Sequence, residues 1–82
     1  MTDKRLAVIS IIIKNRLESH KINEVLSQYA DYIVGRMGLP YKEKDLSVIC
    51  VVADASAEII NTITGKIGMI EGVTAKTLMS KF

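Results

Sequence analysis

Two β-branched apolar runs, two apolar stripes at helical spacing, and glycine and proline breaks between them follow the order strand, helix, strand, strand, helix, strand. That order predicts an α+β domain of the ferredoxin-like βαββαβ type. Right-handed crossovers place both helices on one face of a four-stranded antiparallel sheet. The chain's 82 residues suffice for one domain with one core, expected over residues 1–82.

The first strand is read from Leu6 to Ile13, an isoleucine- and valine-rich run ended by Lys14 and Asn15. A helix follows. Asn15-Arg16-Leu17-Glu18 places a capping side chain three residues before a carboxylate, so each can reach the other's free backbone N–H. Ile22, Val25, Leu26, Tyr29 and Ile33 then recur at three- and four-residue steps, one apolar face of that helix. Gly35, Gly38 and Pro40 break the period, and the charged stretch after them predicts a short edge strand and a hairpin. Leu46 to Ala53 is the second strongly apolar strand. Asp54 or Ser56 is positioned to cap a second helix with a buried stripe of Ile60, Ile63 and Ile67, with Ile59 beside it. Gly72 to Met79 alternates and closes the chain as a strand.

Hydrophobic residues make up 49% of the chain and aromatics 5%. No stretch approaches the ~18 uninterrupted apolar residues of a membrane span, so no membrane partner is expected. The basic residues before Leu6 imitate a leader peptide, but the run behind them is β-branched, short and without a small-residue cleavage site. One cysteine, Cys50, cannot form an internal disulfide, which suits a cytoplasmic location. A net charge of +2 from 11 basic and 9 acidic residues leaves no strong nucleic-acid footprint.

Thr62 to Thr77, "TITGKIGMIEGVTAKT", invites comparison with phosphate-binding loops. A Walker loop needs a hydroxyl after its Gly-Lys pair to hold magnesium, and Ile67 stands there. The dinucleotide fingerprint must follow a strand and open a helix, whereas these glycines follow a helical stripe and precede a strand. Gly68 is instead read as a helix end and Gly72 as the turn into the last strand, each supplying a positive φ. Lys66 complements the negative pole of that helix end.

Both strong strands are apolar on both of their faces, unlike a half-solvated antiparallel strand. A bare apolar sheet face in so small a chain predicts a homo-oligomer, a dimer or larger, and a charge at whichever of Ile11 or Val51 faces outward should dissociate it. Cys50, mid-strand among valines, is expected in the core, and His20, in a polar helix turn, is expected to face solvent.

From "DKRLAVISIIIKNR" through "INEVLSQYADYIVGRMGLPY" to "TGKIGMIEGVTAKT", the chain resembles the small iron-only hydrogenase system regulator family. Arg36-Met37-Gly38 with Pro40, and Gly65-Lys66 with Gly68 and Gly72-Val73, carry the resemblance. More distantly it is similar to ACT-like regulatory domains, including the C-terminal domain of the nickel-responsive regulator. The resemblance implies an ACT-like ferredoxin-fold oligomer with a regulatory, non-enzymatic role. Two departures bear on ligands. Amino-acid-binding ACT domains carry an Asp-x-Pro-Gly-like turn after the first strand, where this chain has Lys14-Asn15-Arg16-Leu17. The nickel regulators use a His-rich set plus Cys, whereas His20 and Cys50 are single here, too few for a four-coordinate site within one chain. The short stretch ahead of the first strand is not expected to hold a separate DNA-binding module.

No metal, cofactor or catalytic residue is expected. Asp54 and Glu58, at i and i+4, are better explained by the helix start they flank than by acid–base chemistry. Arg36, between Gly35 and Gly38, combines a fixed guanidinium fork with close backbone access, suited to a carboxylate or phosphate; its plainer role is an edge-strand charge that blocks aggregation. Asn15 and Arg16 offer donors at the first helix start. The expected ligand-binding residues are therefore Asn15, Arg16, Arg36 and Gly38, contributed by neighbouring subunits, with a small anionic metabolite as ligand. The alternative is an interaction module without a ligand that binds a hydrogenase-related or transcriptional partner. Direct DNA-binding repression is the least supported reading.

Overall fold

The computed structural model describes residues 4–14 and 19–82. Strand β1 spans Lys4–Ile13, helix α1 Ser19–Gln28, β2 Ile33–Tyr41, β3 Leu46–Ser56, helix α2 Ala57–Gly68 and β4 Val73–Met79. The sheet order is β2-β3-β1-β4, and every neighbouring pair is antiparallel. This is the ferredoxin-like arrangement expected, with its two crossovers carried by the helices.

Residue parity decides what is buried. In β1, Ala7, Ile9, Ile11 and Ile13 point toward the helices, and in β3 so do Ile49, Val51, Ala53 and Ala55. Ile22 and Leu26 from α1, and Ile60, Ile63 and Ile67 from α2, close over them. No buried residue among those described is polar. Lys66 Nζ lies 5.2 Å above the ring of Tyr29, tying the end of α2 to the turn after α1.

Several details differ from the sequence reading. Ile11 and Val51 both face the helices and are fully buried, so neither is the outward position. Cys50 is only half-buried and lies on the opposite face, because it follows the parity of Val48 and Val52. Ile33 opens β2 instead of continuing the helical stripe, and β2, at nine residues, is a long edge strand. Asp54 is an exposed strand residue, which separates it from Glu58; the α2 cap is Ser56, whose Oγ accepts from the Ile59 N–H at 3.3 Å. Gly72 has the left-handed φ of 79°, but Gly68 is the last residue of α2 with no positive φ. The capping assignment at Asn15 lies outside the described residues.

Candidate functional site

The edge strand β2 runs beside α1, and its parity sorts the "IVGRMGLPY" segment into two uses. Arg36 pairs in register with Val51, and Gly38 with Ile49, both helix-facing residues of β3. Arg36 and Gly38 therefore stand on the helix side, while Gly35, Met37, Leu39 and Tyr41 belong to the other.

On the helix side an open groove of about 340 Å³ separates the start of α1 from β2. Ser19 and Asn23 form one wall, Arg36, Gly38 and Pro40 the other, and Ile13 and Ile49 contribute apolar floor. A second hollow of about 410 Å³, bordered by Leu26, Ser27, Ala30 and Ile33, adjoins it, and Arg36 and Asn23 border both. The Arg36 guanidinium donates to Asn23 Oδ1 at 2.7 Å, which steers the side chain back over the groove instead of out along the edge. Gly38 leaves the wall open, since a Cβ built there would meet nothing within 4 Å. The arrangement is a guanidinium, an amide and a hydroxyl gathered above apolar floor, suited to holding a small group with anionic and apolar parts.

Of the four candidate ligand residues, the structure brings Arg36 and Gly38 to this groove, and Asn15 and Arg16 lie outside the described residues. Ser19 and Asn23 were missed. Their four-residue spacing puts both on one face of α1, and that was the signal available. Lys66 and Gly68 lie at the end of α2, and neither lines the groove. His20 is exposed on α1. Among the described residues, no group of three or more His, Cys, Asp or Glu side chains converges as a metal site, and no helix is long and apolar enough to cross a membrane.

A ferredoxin-like domain with a lateral groove beside its edge strand defines the class. Within it, residues 5–77 match the TM1266-like family, described as "Iron-only hydrogenase system regulator, putative". The chain belongs to this family, whose description assigns a regulatory role. An uncharacterized protein of the family's name, TM1266 from Thermotoga maritima, has a solved structure that superposes with a TM-score of 0.90 at 30% identity, covering 96% of this chain and 100% of that one. CPII from Thiomonas intermedia K12, solved bound to ADP, AMP and acetate, is similar in fold at a TM-score of 0.53 and 14% identity, covering 98% of this chain and 93% of that one. No curated protein matches the sequence.

Proposed function

We propose that the chain is a cytoplasmic ligand-sensing regulatory domain that works as a homo-oligomer and binds a small anionic metabolite in the groove beside Arg36. One observation carries the reading: among the described residues the guanidinium is anchored by one hydrogen bond, to Asn23, and held over an open groove, where its fork suits a carboxylate or phosphate. Gly38 lets a ligand approach the β2 backbone, and Asn15 and Arg16, just ahead of Ser19 in sequence, are assigned as further donors. The fold likeness to a protein solved with ADP, AMP and acetate supports a small anion as the ligand class. Binding to one oligomeric arrangement in preference to another would then turn occupancy into a regulatory signal. The reading assigns no catalytic residue.

A second reading, an interaction module without a ligand, draws on a different observation, the apolar sheet face left open by the helices. Its partner would be a hydrogenase-related or transcriptional protein. A thermal-shift series with acetate, AMP, ADP and orthophosphate separates the two. A ligand present at 100 times its dissociation constant stabilises the native state by about 2.7 kcal/mol, which is several degrees in a domain of this size. The sensing reading expects that response from at least one of the four anions. No response from any of them at millimolar concentration favours the interaction module.

A further inference from the structure

The face of the sheet opposite the helices is ordered in rows by the strand register. One row runs Thr74, Ile12, Val48, Leu39; the next Lys76, Ser10, Cys50, Met37; the third Leu78, Val8, Val52, Gly35. Leu6 and Tyr41 extend the apolar surface at opposite corners. No described helix covers it, and Met37 is 68% exposed, Leu39 59% and Leu78 74%.

Four strands at the usual ~4.8 Å spacing and three rows of alternate residues give a flat footprint of roughly 400 Å². The standing side chains raise this to roughly 600 Å² of accessible surface, near the ~800 Å² per partner of a standard interface. The face carries few charges, chiefly Lys76 at one rim, with Asp54 and Lys4 beyond the rows. Its composition therefore suits an apolar surface like itself.

We propose that a second copy of this chain covers this face, the two sheets packing about a two-fold axis that runs parallel to the strands between β1 and β3. This rests on the homo-oligomeric part of the reading above and specifies its surface. Such an axis lays β1 of one copy over β3 of the other and β4 over β2, while keeping the rows aligned. Ser10 then meets Cys50 of the second copy, two small side chains at the centre. Ile12 meets Val48 of the second copy and Val8 meets its Val52. At the rim Leu78, the most exposed large hydrophobic side chain of the three rows, sits over Gly35 of the second copy, which has no side chain to oppose it. Lys76 lies over Met37 of the second copy, where its ammonium reaches water past the edge. The competing axis, perpendicular to the strands, sets Lys76 directly against Lys76 of the second copy and loses that arrangement. Opposed like charges at an interface disfavour it.

Sedimentation velocity from 1 to about 100 μM tests the proposal in three steps. The wild type is expected to sediment as a dimer or larger; a monomer throughout overturns the proposal together with the oligomeric reading. Ser10→Lys replaces an exposed polar side chain, so circular dichroism should be unchanged while the dissociation constant rises by ~100-fold or more. An oligomer insensitive to it overturns the placement alone. The axis is read from charges: Met37→Lys should weaken association ~10-fold more than Met37→Glu, and adding Lys76→Glu should restore the Met37→Lys variant. Equal behaviour of the two Met37 variants, or no restoration, overturns the axis.

Discussion

Truncating Arg36 to alanine separates a ligand anchor from an ordinary edge charge, because the two roles differ in what is lost. Its structural bond, to Asn23 at 2.7 Å, is exposed, so breaking it should cost less than ~1 kcal/mol of stability. As an anchor for an anion it supplies charge-assisted hydrogen bonds, whose loss costs about 1.5–3 kcal/mol. The expected result is a dissociation constant raised roughly tenfold to 150-fold, with the thermal midpoint of the unliganded protein nearly unchanged. Isothermal titration of whichever anion stabilises the wild type measures the first quantity, and calorimetry without ligand the second. Arg36→Lys should fall between, since it keeps the charge and loses the planar fork. Asn23→Ala should weaken binding by less than Arg36→Ala, because it frees the guanidinium without removing it. A dissociation constant within twofold of wild type for Arg36→Ala would refute the anchor role. So would a variant whose chief defect is unfolding, since that would make the residue structural.

The remaining predictions concern the frame that holds the groove. Ile63→Ala should lower the unfolding free energy by about 2–5 kcal/mol, as for other fully buried aliphatic side chains, which urea titration would report. The two glycines around the α2 end should respond with opposite signs. Gly68→Ala, in helical backbone with nothing within 4 Å of the added Cβ, should stabilise by ~0.5–1 kcal/mol. Gly72→Ala, at φ 79°, should destabilise by ~1 kcal/mol or more. Both are measurable by the same titration, and equal signs would contradict the backbone assignment.

The order and type of the elements were legible because they rest on long patterns. The stripe Ile60, Ile63, Ile67 allows one helix face, and the glycine and proline breaks mark where β2 leaves the helical period. What the patterns did not settle was which residues of β1 and β3 point inward, since a strand apolar on both faces carries no alternation to read. Two polar residues held the answer. Ser10 and Asp54 share the parity of Ile12 and Cys50 and mark the open face, which favours burial of Ile11 and Val51; Ser47, at the start of β3, has the other parity and stands beside the open groove. The same reasoning moves Cys50 out of the core. In the groove, Arg36 and Gly38 stood out through local composition, whereas Ser19 and Asn23 acquire their place only when α1 is laid beside β2, a tertiary fact with a weak local trace. The hydroxyl contact between Thr64 and Thr77, which joins α2 to β4, left no trace of that kind.

The proposed sensing of an anion beside the edge strand can be followed residue by residue through backbone amide resonances while acetate, AMP, ADP and orthophosphate are titrated in turn. Saturable shifts are expected at Ser19, Asn23, Arg36 and Gly38 for at least one of them, with little change from Lys66 through Gly72. Shifts concentrated at Lys66 to Gly72 with the groove silent, or no saturable shift anywhere, would contradict the proposed sensing.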